Sequence, residues 1–148
     1  MLIIAIDPGA GGGIAILDND VITAYAYKED VLVSLIHRYK PLDPEVWMEQ
    51  VGGYIGTPQP GSRMFNFGSN YGFIRGAFAS HDIKISLVHP VKWQNGLHLK
   101  RAKQTSKIVW KRELKEFAKV LYPDLKVTLK TSDALLILQY VINLKETT

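Results

Sequence analysis

Hydrophobic residues at the start of the chain fall into short runs separated by polar or glycine-rich breaks, a pattern typical of strands joined by tight turns. Residues 2–6 are apolar and end at Asp7, and a second apolar run covers 14–17 after a turn of proline and glycines. Residues 21–27 form a third run across a polar turn. The pattern predicts three consecutive strands, each antiparallel to the next.

The periodicity then changes to that of a helix, predicted over 30–39 with Asp30 as its cap. The apolar run at 45–51 follows this helix, so we expect it to lie parallel to the first strand. The last helix is apolar on nearly all sides, which indicates burial against the sheet. The remaining predicted elements are a long loop at 52–68, a helix at 69–80, a strand at 83–88, an irregular basic segment, and helices at 104–121 and 132–144.

These elements predict one domain over residues 1–148, in the mixed α/β (α+β) class with a five-stranded mixed sheet. The chain has no cysteine, which excludes disulfides and thiolate metal sites. It shows neither an apolar run long enough for a membrane span nor the pattern of a signal peptide. We therefore expect no membrane association and a cytoplasmic location.

Positive charge is concentrated in the second half of the chain. The formal net charge is +4, and nine lysines or arginines occur from Lys92 to Lys119. This surplus favours a polyanionic partner. Lysines recur every four residues along the predicted helix and drift by about 40° per step, so only Lys103 and Lys107 are expected to face one ligand. The later lysines are interpreted as an ordinary solvated face: Lys111, Lys115 and Lys119.

Three acidic residues occupy positions that should be partly buried. Asp7 shares a strand face with core residues, Glu49 shares one with Trp47, and Asp133 lies in the first turn of the apolar last helix. Each has an ordinary alternative, respectively a bond to the turn amides, an edge position and a helix cap. Taken together, adjacent first and fourth strands would bring the three carboxylates close, where they would repel unless cations neutralise them. Mg²⁺, which prefers oxygen ligands, suits such a site.

The sequence resembles the ribonuclease H-like fold and, within it, the RuvC-type Holliday junction resolvases. IAIDPGAGGGIAIL is similar to their first strand and turn, MEQV to their acidic fourth strand, and SDALLIL to the start of their last helix. The segments FGSNYGFIRGAFAS, VHPVKWQNGL, KQTSK and LYP are similar to the chloroplast resolvase branch and its phage relatives. The resemblance spans nearly the whole chain.

The resemblance implies helices on both faces of the sheet and a homodimer that nicks opposed strands of four-way DNA junctions. It implies two Mg²⁺ ions per active site, replaceable by Mn²⁺, and no nucleotide cofactor. The implied catalytic metal ligands are Asp7, Glu49 and Asp133. The candidate DNA contacts are Arg63, Lys92, Lys103, Lys107 and Lys130. The candidates for stacking on bases, with core packing as the alternative, are Phe65, Phe67 and Trp93.

One position departs from the family pattern. Lys130 stands where the family usually has a fourth ligand, three residues before Asp133. Three alternatives are open: three carboxylates are enough, Asp124 contributes a ligand, or Lys130 contacts the scissile phosphate. The departure also keeps open a module that binds branched DNA without cutting it.

Two other enzyme classes have related features. A different ribonuclease H-like nuclease would act on RNA or flaps. Actin-like and sugar-kinase ATPases open with a similar hairpin, but they need two such domains and the chain has room for only one. As a resolvase, the protein is expected in the cytoplasm of a bacterial or phage-infected cell, or inside an organelle.

Overall fold

The structure, a computed structural model, describes residues 1–52 and 60–148. Its strands and helices, in chain order, are β1 (Leu2–Asp7), β2 (Gly13–Asp18), β3 (Val21–Ala26), α1 (Glu29–Tyr39), β4 (Glu45–Glu49), α2 (Gly61–Ala79), β5 (Ile85–Val88), α3 (Pro90–Gly96), α4 (Lys107–Leu121) and α5 (Ser132–Glu146). A single 3-10 turn at Lys40–Leu42 separates α1 from β4.

The five strands form one mixed sheet in the order β3-β2-β1-β4-β5. The first three pair antiparallel, and Asp7 lies opposite Gly13 in the register of β1 and β2. β4 runs parallel to β1, with Met48 beside Ile6, and β5 runs parallel to β4. The predicted mixed sheet, with its first and fourth strands adjacent and parallel, is confirmed.

Helices cover both faces of this sheet, as predicted. On the face that we call the α1 face, large side chains of the central strands pack with α1 and α2; they are Ile4, Ile6, Ile14 and Ile16. On the opposite face, which we call the α5 face, smaller side chains contribute to the packing with α3, α4 and α5. The central-strand residues on that side are Ile3, Ala5, Ala15 and Leu17. Because side chains alternate along a strand, Asp7 and Glu49 belong to the α5 face.

Several predicted boundaries are wrong. α2 begins at Gly61, so residues 61–68 are helical rather than a loop, while the predicted loop at 53–59 lies outside the described residues. α1 begins at Glu29 after Lys28, which places Asp30 in the first turn rather than at the cap. The Ser106 hydroxyl accepts a hydrogen bond from the Val109 amide, 3.2 Å, and fixes the start of α4 three residues later than expected.

The predicted irregular basic segment also contains a short helix, α3. Pro90 occupies its first position, and the His89 side chain accepts a bond from the Val91 amide, 3.3 Å. A proline there lacks only an amide hydrogen that would be unpaired in any case. In the part of the chain that the structure describes, no helix combines the length and the apolar character needed to cross a membrane.

Candidate active site

Asp7 ends β1 and is only 8% exposed. The turn that follows closes on itself, because the Gly12 amide donates to the Gly9 carbonyl, 3.0 Å, rather than to the Asp7 carboxylate. A Cβ atom at Gly12 would lie 2.0 Å from the Asp7 carbonyl oxygen, so the turn passes too close to β1 for any other residue. The Asp7 side chain is therefore left available on the α5 face.

The start of α5 packs directly against this turn. A Cβ atom at Gly13 would lie 2.4 Å from the Lys130 carbonyl oxygen, so the two segments meet backbone to backbone. The first residues of the helix are buried with it, and Asp133 is 6% exposed. Asp133 is thereby brought to the end of the sheet at which Asp7 lies.

Glu49 ends β4 at the same end of the sheet, since Met48 pairs with Ile6, the residue before Asp7. The indole Nε1 of Trp93 donates to Glu49 Oε2 at 2.8 Å. Trp93 lies on α3 and is fully buried. Of the two alternatives for Trp93, stacking on a base or core packing, the structure shows core packing, because its ring fills the core of the α5 face and its indole N–H binds a carboxylate.

The three carboxylates act on one another electrostatically. Burial, followed by the charges of Asp133 and Glu49, holds the pKa of Asp7 well above its ordinary value. Burial also raises the pKa of Glu49, to about 7, with Asp133 raising it further while Trp93, Lys111 and Lys107 oppose the shift. Two buried acids, Asp7 and Glu49, whose pKa values are raised by burial and by neighbouring carboxylates are typical of sites that bind cations or move protons.

Lys111 is the cation that approaches this cluster most directly in the described residues. Its Nζ lies 2.5 Å from Asp133 Oδ2, and its side chain is 33% exposed. Burial lowers the pKa of Lys111, but the charges of Asp133, Asp7 and Glu49 outweigh burial and raise it. The interpretation of Lys111 as part of a solvated face is therefore wrong.

Sequence reasoning missed Lys111 because its contact depends on how α4 packs on α5. The buried residues Trp110 and Leu114 of α4 flank it in sequence and belong to the same core cluster as α5. A lysine between two core positions, one helical turn after Lys107, was the available signal. Lys119, by contrast, is an exposed lysine that pairs with Glu116 on its own helix, 3.4 Å.

The carboxylate oxygens of Asp7, Glu49 and Asp133 suit a hard divalent ion, although their present orientations do not enclose one. Within residues 1–52 and 60–148, no group of three or more His, Cys, Asp or Glu side chains is arranged to hold a metal. In the same described residues, the buried Asp133 Oδ1 has no hydrogen-bond partner. Buried carboxylate oxygens are rarely left unpaired. The free oxygen and three mutually repelling carboxylates fit a cation, with Asp7, Glu49 and Asp133 as its ligands.

The candidate DNA contacts are all exposed: Arg63, Lys92, Lys103, Lys107 and Lys130. Of these, Lys107 acts on the site itself, since its charge lowers the pKa of Glu49. Lys130 presents only its backbone carbonyl to the Asp7 turn, and its side chain is exposed. Among residues 1–52 and 60–148, no fourth ligand is identified, and Asp124 is an exposed residue of the segment after α4.

The two phenylalanines proposed to stack lie on the first turns of α2 rather than on a loop. Phe65 is 74% exposed. The Phe67 ring is partly buried and approaches Gly9, where an added Cβ would lie 3.3 Å from it. Phe65 is therefore available for stacking, while Phe67 packs on the Asp7 turn.

Solved structures share this arrangement of strands and helices. The chain is similar to the Thermus thermophilus RuvC structure, with a TM-score of 0.59 and 13% identity over 98% of this chain and 97% of that one. It is also similar to T. thermophilus RuvC in complex with Holliday junction substrate, with a TM-score of 0.63 and 14% identity over 97% and 96%. The chain has the RuvC fold.

RuvC carries the ribonuclease H-like fold, so the predicted fold is confirmed. The likeness to RuvC covers nearly the full length of both chains, which includes all the elements that build the site. No protein-family model matches the sequence, and no curated protein matches it. Similarity to RuvC is thus visible in the arrangement of the backbone far more than in residue identity.

Proposed function

We propose that the protein is a Mg²⁺-dependent endonuclease that resolves four-way DNA junctions as a homodimer, by paired nicks. The observation that carries the proposal is the meeting of Asp7, Glu49 and Asp133 at one end of the α5 face of a RuvC fold. The three side chains come from two adjacent parallel strands and a helix packed on them. A solved RuvC with this fold is bound to Holliday junction substrate, which supports DNA of this shape as the partner.

The protein groups have separable roles in this proposal. Asp7, Glu49 and Asp133 hold a centre with two cation positions, as in two-metal-ion hydrolysis. Bound Mg²⁺ would polarise the scissile phosphate and stabilise the charge that develops on the leaving 3′ oxygen. Trp93 holds Glu49 in its orientation through the 2.8 Å hydrogen bond. Mn²⁺ should replace Mg²⁺, since both accept carboxylate oxygens.

Exposed basic residues near the site would bind the DNA backbone. Lys107 begins α4 and acts on Glu49 by its charge, so a phosphate close to the carboxylates would also lie close to Lys107. Lys103 precedes α4, Lys92 lies on α3, and Phe65 is exposed for stacking on an opened base pair. Such an enzyme would act where DNA recombines, in the interior of a cell or an organelle.

A second candidate function is binding of branched DNA without cleavage. The ion pair between Lys111 and Asp133 favours it, because the ammonium occupies an oxygen that a metal would otherwise use. A ribonuclease H-like enzyme acting on RNA or flaps would have the same carboxylates and differ only in substrate.

Cleavage assays on a panel of labelled substrates test these functions. Four-way junction, matched duplex, flap and RNA–DNA hybrid are each incubated with Mg²⁺ or with chelator. We expect paired, symmetric nicks in the junction alone and only with Mg²⁺. Tight junction binding without nicks would support the non-cleaving module, and preferential cutting of the hybrid would exclude a resolvase.

The variant Asp7→Asn gives the sharpest test of the site. Mutation of a residue that only supports a metal ligand lowers activity by up to about 100-fold. Loss of a ligand itself should cost more, so we expect Asp7→Asn to lower cleavage by more than about 100-fold while leaving junction binding intact. Asp18→Asn is the matched control, since Asp18 pairs with Leu2 at the opposite end of the same hairpin. Wild-type cleavage by Asp7→Asn would show that the metal site is assigned wrongly.

A further inference from the structure

Asp133 uses its two carboxylate oxygens differently. Oδ2 accepts the Lys111 ammonium at 2.5 Å. Oδ1 is buried and, within the described residues, has no hydrogen-bond partner. One side of the carboxylate is thus already neutralised by the protein, and the other side is left for a ligand that the chain does not supply.

The packing of α4 holds Lys111 in this position. Trp110 and Leu114 are 8% and 2% exposed and anchor the helix on either side of it in the core cluster that includes α5. Lys107, one turn earlier, is exposed, whereas two thirds of the Lys111 side chain is covered. Lys111 is therefore a built-in part of the carboxylate cluster rather than a surface lysine that happens to reach it.

Charge balance then limits the number of metal ions. The three carboxylates carry three negative charges when ionised, and Lys111 neutralises one of them. In the DNA-free protein, one divalent ion neutralises the remainder, whereas two divalent ions would leave an excess of positive charge beside an ammonium. Uncompensated buried charge of either sign is strongly unfavourable.

Given the proposed nuclease function, we propose that the Lys111 ammonium fills one of the two cation positions of the carboxylate centre, so that each active site binds a single divalent ion. The ion would use Asp7, Glu49 and the free Oδ1 of Asp133. The side chain of Lys111 would supply, from α4, the positive charge that a second ion supplies in two-metal-ion hydrolysis.

Counting the ions bound by the protein tests this assignment directly. Mn²⁺ is titrated into the purified full chain, and bound ions are counted by electron paramagnetic resonance. We expect one Mn²⁺ per wild-type chain and two per chain of Lys111→Gln. Two ions roughly 4 Å apart also couple magnetically, so the coupled spectrum should appear only in that variant.

Two further variants serve as controls. Lys115→Gln removes the same charge one turn further along α4 and should keep a single ion, and Lys111→Arg preserves the charge and should also keep one. Circular dichroism melts in chelator establish that each variant folds. If Lys111→Gln did not fold, Lys111→Met would be counted in its place.

The outcomes separate this assignment from the nuclease function. Two ions in the wild-type chain, or one in folded Lys111→Gln, would overturn the role of Lys111 even if the junction is cleaved. Failure of every variant to bind Mn²⁺, together with no cleavage of the junction, would overturn the proposed function itself.

Discussion

The two faces of the sheet are built from alternate residues of the same strands, yet they differ in the size and charge of their side chains. On the α1 face, β1 and β2 present four isoleucines to α1 and α2. On the α5 face, the same strands present Ala5 and Ala15 beside Ile3 and Leu17, and β1 ends in Asp7. One face stabilises the fold, while the other also positions a charged cluster.

The small side chains have a direct consequence for the site. Ala5 and Ala15 are fully buried beneath the α5 face, where side chains of α5 such as Leu138 are buried with them. An alanine layer lets a helix lie closer to a sheet than an isoleucine layer does, because each missing methylene shortens the contact. The backbone contact of Gly13 with Lys130, just before α5, then brings Asp133 to the acids on the strands.

Matched substitutions at neighbouring positions of β1 test this difference between the α1 face and the α5 face. Ile4→Ala removes packing from the α1 face and should lower the free energy of unfolding by about 2–5 kcal/mol with little effect on cleavage by the folded protein. Ala5→Ile overpacks the α5 face and should lower the free energy of unfolding by about 1–3 kcal/mol. It should also lower cleavage, because the larger side chain displaces α5. Urea unfolding and junction cleavage measure the two effects. Equal loss of cleavage in both variants would refute the contrast.

The pH dependence of stability should also separate the two faces. Glu49 has a pKa of about 7 in the folded protein, against an ordinary value of 4.5. A raised carboxyl pKa means that the folded state favours the protonated acid. This contribution to the free energy of unfolding, measured in chelator, should be fully present below about pH 4.5 and be lost as the pH rises to about 7. At about 1.4 kcal/mol per pKa unit, we expect a change on the order of 3 kcal/mol.

Urea titrations at several pH values check this dependence. Glu49→Gln should reduce the fall and leave the part that Asp7 contributes, because the pKa of Asp7 is also raised by burial. Saturating Mg²⁺ should reverse the fall, because the cation stabilises the ionised acids. The control Glu113→Gln, which changes an exposed residue of α4, should leave the curve unchanged. An identical fall in Glu49→Gln would assign the dependence to other groups.

The smallest expected effect concerns Lys107, at the border of the α5 face. Its charge lowers the pKa of Glu49, so Lys107→Gln should raise that pKa slightly and, if Lys107 contacts a phosphate, weaken junction binding. Loss of one phosphate contact makes the dependence of log affinity on log salt concentration shallower, by about 1 in slope. Gel-shift titrations at several salt concentrations measure the slope. Lys119→Gln is the control, and an equal effect there would indicate a general loss of charge.

The strand order and the meeting of the three acids could be predicted from the sequence because both follow from local rules. A strand after a helix lies parallel to an earlier one, and side chains alternate, so Asp7 and Glu49 had to share a face. The final apolar helix could only be buried against that sheet, which added Asp133.

Features that depend on long-range packing could not be predicted. The glycines of 61–68 suggested a loop, but a glycine weakens a helix by only about 1 kcal/mol, and the tertiary contacts of Ile74 and Phe78 stabilise α2. The contact of Lys111 with Asp133 depends on how α4 packs on α5, and the spacing of apolar residues along α4 does not predict that packing. For Trp93 the sequence favoured core packing over stacking, and the choice depended on whether its segment would be buried.

The close backbone contact between Gly13 and Lys130, just before α5, also has a consequence for the synthesis of the protein. The hairpin that carries Asp7 is synthesised well before α5, which carries Asp133. Contacts between segments so distant in sequence form late in folding. A partly synthesised chain therefore lacks a complete set of carboxylates, so that a nuclease of this design would become able to cut DNA only after its last helix has docked.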